Sequence, residues 1–306
     1  MSAGRNVTLL LSDSLNEYQQ LVRSDVLEVA NRLGLTVEVH FADNSAPAQA
    51  RQFHDIIRRP TPPAAIMMVP VRDSTLSRLA SDAAAKGIGL VFLNRWIDEI
   101  KSLRQAFPSL PIFSVTPDHR DIGRIQGRQI MAAAPGDGKI LYVHGKIENY
   151  SAAERLGGMR EVISGTGVEL HLLDGDWSVQ GSQRVVTGWL RIVMRGDFKL
   201  DLIACQNDQM AIGAAQALEA VAVSLGSDEI RRVPVTGCNG LAANGKKLVD
   251  EGKLLATVIV PPSGGPALKL IERALNAGEI PPERVVLQST SYPAEEVLAR
   301  RRTRTK

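Results

Sequence analysis

Residues 204–214 read Ala204-Cys205-Gln206-Asn207-Asp208-Gln209-Met210-Ala211-Ile212-Gly213-Ala214. A short apolar run ends in adjacent amides and an acid, and a helix-forming stretch follows at once. That order places hydrogen-bonding side chains at the carboxyl end of a buried strand, the edge where open α/β sheets take their ligands. Further on, Val235-Thr236-Gly237-Cys238-Asn239-Gly240 repeats the pattern.

Outward from this stretch, strand-like and helix-like runs alternate, which predicts βαβ units and parallel sheets. In the first half, Val7 to Leu11, Thr36 to Phe41, Ala64 to Val71, Ile88 to Leu93 and Ile112 to Val115 read as strands. Tyr18, Val22, Val26, Val29 and Leu33 make one helical stripe that Gly34 should stop. A second helix is expected through Leu76, Leu79 and Ala83. In the second half the strands are Ile140 to Val143, Leu170 to Leu173, Leu202 to Cys205, Val233 to Thr236, Leu254 to Val260 and Val285 to Ser289. Helices fall near 152–163, 180–194, 209–223 and 264–276, and Trp189 reads as core. Each half thus holds about five strands, and Pro-rich or strand-end stretches near Asp118, Pro261-Pro262 and Leu287 predict three short crossings between them.

With 306 residues, the chain is long enough for two ordinary domains. Its net charge is +3, but Arg300, Arg301, Arg302, Arg304 and Lys306 supply five basic groups, and without that tail the balance is −2. The body is therefore no basic nucleic-acid surface, and the tail reads as a solvated, frayed terminus. Cys205 and Cys238 are the two cysteines, each near its own strand end, and read as buried thiols rather than a disulfide framework. No apolar run approaches the ~18 residues of a membrane span. Val7 to Leu11 is too short for a signal-peptide core. As given, the chain reads as cytosolic; with a leader removed before Met1 it would be periplasmic.

Strand-end candidates are Ser12, Asp13 and Asn16; Arg72 and Asp73; Asn94 and Arg95; Asp118; Asp174, Asp176 and Trp177; Asn207 and Asp208; and Asn239. Amides and guanidiniums suit a ligand rich in hydroxyls or bearing a carboxylate. Tyr18, Trp96 and Trp177 are aromatic faces for a ring. Each polar residue also has a plainer use as a turn former or helix cap, with Asp13 and Asp208 the best cap candidates. Asp174 and Asp176 read as a solvated turn, and Arg155 equally as a surface ion pair with Glu154 or Glu161.

Catalytic signatures are missing. There is no G-x-G-x-x-G after the first strand, no G-x-x-x-x-G-K-[ST] and no G-x-S-x-G elbow. His40, His54, His119, His144 and His171 have no metal-ligand spacing. The expectation is a binding protein with no enzymatic activity, no cofactor and no metal.

Taken together, Ser12 to Tyr18, Val91-Phe92-Leu93-Asn94-Arg95, Ser151-Ala152-Ala153-Glu154-Arg155, Gly175-Asp176-Trp177, Gln206-Asn207-Asp208-Gln209-Met210-Ala211, Gly237-Cys238-Asn239-Gly240 and Gly252-Lys253-Leu254-Leu255-Ala256-Thr257-Val258 resemble the type 1 periplasmic sugar-binding proteins. Ribose-binding protein typifies that family, and the effector-binding cores of lactose-repressor-like regulators are related to it. The resemblance implies an α/β fold of two doubly wound parallel-sheet, Rossmann-like domains joined by a three-segment hinge. It places residues 1–117 with 261–286 in one lobe, residues 118–260 with 287–306 in the other, and the ligand cleft between the lobes.

The resemblance implies ligand contacts from Asn16, Tyr18, Asn94, Arg95, Arg155, Trp177, Asn207 and Asn239, with Asp13, Gln19, Asp208 and Cys238 as secondary candidates. Asn94 and Asn239 stand where the family has acids, Gln19 where it has a second aromatic, Val260 where it has a cleft glutamine, and Cys238 where a large aromatic is common. Two ligand classes stay open: a neutral sugar or polyol, and a sugar acid or sugar phosphate. The function implied is that of a monomeric solute-binding component of an ABC-type sugar importer, with a transporter permease as partner and no nucleic acid. The alternative is a cytosolic ligand-sensing regulator core lacking its own DNA-binding domain.

Overall fold

The computed structural model describes residues 6–72, 77–134, 136–194, 198–241 and 244–304. The chain divides into two compact units, residues 1–117 with 262–287 and residues 118–261 with 288–306, so it passes from one to the other three times.

The first unit runs β1 (Asn6–Leu11), α1 (Glu17–Leu33), β2 (Thr36–Phe41), α2 (Ala46–Ile57), β3 (Ala65–Met68), α3 (Ser77–Ala85), β4 (Gly89–Leu93), α4 (Glu99–Ala106) and β5 (Ile112–Pro117). The second begins with α5 (His119–Ala133), β6 (Lys139–His144), α6 (Tyr150–Ile163), β7 (Glu169–Asp174), α7 (Val179–Val193), β8 (Leu202–Cys205) and α8 (Asp208–Leu225). It continues with α9 (Asp228–Arg231), β9 (Val235–Thr236), α10 (Gly245–Asp250) and β10 (Thr257–Ile259). The chain then returns to the first unit for α11 (Gly264–Ala277) and β11 (Arg284–Leu287), and ends in the second with β12 (Thr290–Tyr292) and α12 (Glu295–Arg304).

In the first unit six parallel strands lie in the order β11-β5-β4-β3-β1-β2. In the second, four parallel strands lie in the order β7-β6-β8-β9, and β10 pairs antiparallel with β12 in a separate ribbon. Both are doubly wound: chain order reverses between β1 and β3 and again between β6 and β8. β1, β3, β4 and β8 are buried almost throughout, as strands covered by helices on both faces must be. Phe53, Ile66, Met68, Phe92 and Ile100 centre one core, and Leu141, Val186, Ile203, Met210 and Leu218 another.

Local chemistry fixes the boundaries. α1 stops at Gly34, whose φ of 64° is left-handed and whose N–H reaches back to Ala30 and Asn31. The apolar run at 64–71 gives only a four-residue strand, because Pro70 has no N–H to continue the ladder. β9 and β10 are likewise shorter than the runs that contain them.

Several expectations need correction. Trp189 is half-buried rather than core, and its ring lies edge-on to Phe198 and tilted against His171. The basic tail does not fray where expected, since helix α12 continues to Arg304. Leu76 and Asp73 lie outside the described residues.

α5 and α6 pack with their backbones nearly touching. A Cβ at Gly123 would overlap the Arg155 carbonyl, one at Gly158 would overlap the Arg120 carbonyl, and one at Gly127 would lie 2.7 Å from Val162 Cβ. Glycine is poor for helix propensity, yet here it lets α6 lie close to α5. This contact sets where α6 starts and therefore where its first turns present their side chains.

Candidate functional site

In the main sheet of each unit all strands are parallel, so the residues that follow them share one edge. In the first unit that edge carries the loops after β1, β3 and β4. Asn16 caps α1, its Oδ1 accepting from Gln19 N at 3.1 Å, which is worth about 1 kcal/mol. Gln19 ties the loop down: its Oε1 accepts from Ser12 N at 2.8 Å and Asp13 N at 3.2 Å, and its Nε2 donates to Ser12 Oγ at 2.6 Å. Asp13 accepts from Leu15 N and from Asn44 Nδ2, each at 2.9 Å. Asp13 and Gln19 therefore shape the loop, while Asn16 and the buried Tyr18 sit at its helical end.

Beside it, the loop after β3 is pinned by buried Gln49, which donates to Val69 O at 2.9 Å and accepts from Val71 N at 2.8 Å. Arg72 is exposed just beyond. After β4, Asn94 has a left-handed φ of 64° and Arg95 is buried, with its carbonyl accepting from Ser114 Oγ at 2.6 Å. Trp96 donates its indole N–H to Asp98 at 3.0 Å and stands over the Arg284 guanidinium.

The second unit's edge is denser. At its switch point Gln206, fully buried, joins the loops after β6 and β8. Its Oε1 accepts from Gly145 N at 3.1 Å, and its Nε2 donates to Ala152 O at 3.0 Å and to Tyr142 Oη at 3.2 Å. Tyr142 in turn donates to Gln126 Oε1 at 2.8 Å, and Gln126 Nε2 donates to Cys205 O at 2.8 Å. Buried polar groups that are mutually satisfied hold one geometry. Here that geometry is the start of α6 against the end of β8.

Asn207, only 2% exposed, caps α8 through Met210 N at 2.8 Å and donates Nδ2 to the Trp177 carbonyl at 2.9 Å. Caps are therefore made by Asn16 and Asn207, not by Asp13 and Asp208, because the capping oxygen must reach the N–H three residues on. Asp208, 1% exposed, instead accepts from Gly240 N at 2.8 Å and Thr257 Oγ1 at 2.7 Å, and so fixes the turn that carries Cys238 and Asn239.

Asp174 and Asp176 form a turn: Asp174 accepts from Asp176 N, and Asp176 from Ser178 N. Consecutive positive φ values, 50° at Asp176 and 68° at Trp177, follow. For a bulky residue that conformation costs about 1–2 kcal/mol and persists only where the surroundings enforce it. The enforcing contacts are the Asn207 bond and the indole, which packs against Gly145 so closely that a Cβ there would overlap it. Asn239, with φ 106°, is the other strained position on this edge.

Arg155 is not a surface ion pair. Glu161 is held by Arg120 and Arg124, Glu154 faces Arg120, and Arg155 is buried beside Trp177, with its guanidinium 5.8 Å from the ring centroid. Burial pushes the Cys238 thiol up to about 11 and raises Cys205 as well, so both stay protonated at neutral pH and are poor nucleophiles. Among the described residues no cluster of three or more His, Cys, Asp or Glu is placed to hold a metal, and no helix is long and apolar enough to cross a membrane.

Gln206, Gly145 and His119, whose Nδ1 accepts from Arg155 Nε at 3.4 Å, are site-shaping residues absent from the sequence's list of site candidates. Gln206 stands directly after the β8 run, and that position was the available signal. The family model described as periplasmic binding protein domain matches residues 7–279.

The chain belongs to the periplasmic binding protein family. Within that family this periplasmic binding protein is 29% identical over 231 residues to a Rhizobium meliloti protein described as rhizopine-binding, covering 72% of this chain and 70% of that protein. It is 25% identical to the D-allose-binding periplasmic protein of Escherichia coli K12, covering 92% of this chain and 88% of that protein. Solved structures share the fold. One is an ABC transporter periplasmic solute binding protein from Actinobacillus succinogenes 130z with bound D-allose, at TM-score 0.80 and 20% identity over 96% of this chain and 99% of that one. Another is the Caulobacter myo-inositol binding protein bound to myo-inositol, at TM-score 0.81 and 20% identity over 99% of this chain and 98% of that one.

Proposed function

We propose that this periplasmic binding protein is a solute-binding protein for a small carbohydrate-like ligand, and that it delivers this ligand to an ABC-type importer from the periplasm. The ligand would engage Asn16, Tyr18, Asn94 and Arg95 in the first unit and Arg155, Trp177, Asn207 and Asn239 in the second. Binding by both units drives closure, because a ligand shifts a conformational equilibrium only through differential contacts.

The observation that carries this reading is the second unit's edge. A buried arginine, an indole face held in a strained backbone and two strand-end amides stand together on one parallel sheet. Hydroxyls take such amide and guanidinium groups, and a pyranose or cyclitol face takes an indole. Names among the relatives point the same way: D-allose, xylitol and galactofuranose are each the stated ligand of one, and D-xylose of two.

Thermal-shift screening of the purified chain against monosaccharides, polyols and sugar acids tests the proposal. Stabilisation by at least one compound, abolished in Arg155→Ala, is expected. A panel in which no compound stabilises the protein, or a response that survives Arg155→Ala unchanged, sinks it.

A further inference from the structure

Arg155 is a buried charge that makes no salt bridge among the described residues. It is 5% exposed, and its surroundings can be counted. Of the guanidinium's five N–H donors, one goes from Nη1 to the Gln206 carbonyl and one from Nε to His119 Nδ1 at 3.4 Å. Three keep no acceptor among the described residues, and no carboxylate there pairs with it. The buried acid on the same edge, Asp208, is already occupied by Gly240 N and Thr257 Oγ1. Trp177, Gln206, Asn207 and Asn239, which stand on that edge, are neutral. Leaving a buried ion unpaired costs several kcal/mol.

On the solute-binding reading above, we propose that the ligand itself supplies the counter-charge: it is a sugar acid whose carboxylate takes the free N–H groups of Arg155. A carboxylate offers two oxygens in the plane that a guanidinium fork matches. Its single negative charge also balances this one cation, whereas a phosphate monoester carries close to two at neutral pH. The rest of the sugar then lies against the Trp177 indole.

Isothermal titration calorimetry on the full chain distinguishes the classes with matched pairs: D-glucose and D-glucuronate, D-galactose and D-galacturonate, D-ribose and D-ribonate, with D-ribose 5-phosphate alongside. At least one carboxylate should bind more than tenfold tighter than its neutral counterpart, and Arg155→Gln should remove that preference. The ligand-free Arg155→Gln protein should melt no lower than the parent, because it loses an uncompensated charge. A neutral sugar that binds as tightly as its acid in every pair, or a phosphate that outbinds every acid, overturns the proposal and leaves the solute-binding reading standing. A drop of ten degrees or more in the ligand-free variant also overturns it. Absence of binding by all seven compounds overturns both.

Discussion

The Cβ that Gly145 lacks would overlap the indole of Trp177, so the loop after β6 is the bed on which that ring lies. Gly145→Ala must lift the ring from its seat. The fold should lose only about 1 kcal/mol, since the indole is half-buried and can move outward. Ligand-induced stabilisation should fall sharply, and tryptophan emission should shift to the red. Unchanged emission and an unchanged ligand response would show that the indole does not depend on this bed.

Asp208 holds the turn after β9 from inside. Asp208→Ala leaves the buried donors Gly240 N and Thr257 Oγ1 without their acceptor, and each buried donor left unsatisfied costs about 1–3 kcal/mol. A loss of about 3 kcal/mol in urea denaturation is expected, with Asp208→Asn recovering part of it. Gly237 and Gly245 crowd the same carboxylate, so Gly237→Ala should be nearly as damaging. If Asp208→Ala costs less than about 1 kcal/mol, the turn is held by something else.

The α5–α6 contact makes a sharper case. Exposed helix glycines gain about 1 kcal/mol on replacement by alanine. At Gly123 and Gly158 the new methyl meets backbone carbonyl instead, so Gly123→Ala and Gly158→Ala should each lose about 1–3 kcal/mol. At roughly 2–4 °C per kcal/mol for a domain of this size, calorimetry will resolve the difference. A rise in melting temperature for either variant would contradict the close approach.

Asp25 on α1 caps α11 from outside its own helix, accepting from Gly265 N at 2.6 Å. Burial raises its carboxyl above the ordinary 3.8, although the Gly265 bond and Lys269 oppose the shift. The folded state therefore holds this proton more tightly than the unfolded one. Its ionised form disfavours folding at neutral pH, and stability is recovered as pH falls through the raised value towards 3.8. Asp25→Asn should accordingly be neutral or stabilising at pH 7, with the gain shrinking as pH falls through the raised value and gone once pH is below 3.8. A variant whose advantage grows on acidification reverses the sign and refutes the assignment.

What could be read from sequence followed from periodicity and punctuation. Leu202–Cys205 is an apolar run bounded by polar residues, and Gly34 marks the end of a regular stripe, so β8 and the end of α1 were legible. α5 was not. Its inner face carries Gly123, Gln126, Gly127 and Gln129, which read as breakers and surface until the partners are known: the Cys205 and Thr257 carbonyls and the backbone of α6. The roles of Gln206 and Gly145 were hidden for the same reason, since each depends on a loop far away in the chain. Asp13 and Gln19 stand among the secondary ligand candidates, and a loop-forming acid or amide has the same composition as a ligand-binding one. Their hydrogen bonds to Ser12, Leu15 and Asn44 add a loop-holding part that the sequence alone does not show.

The triple crossing of the chain has a consequence for biosynthesis. β5 finds its outer neighbour in β11, residues 284–287, and Gln129 on α5 donates to Thr257 O and Ser291 Oγ. Neither unit can therefore be completed until almost the whole chain has left the ribosome. Such long-range closure slows folding and leaves strand edges exposed meanwhile. During synthesis the nascent protein holds an unfinished sheet whose open edge at β5 waits for a strand encoded well over a hundred codons downstream. Its yield in a cell will thus depend on chaperone protection of that edge as much as on the stability of the finished fold.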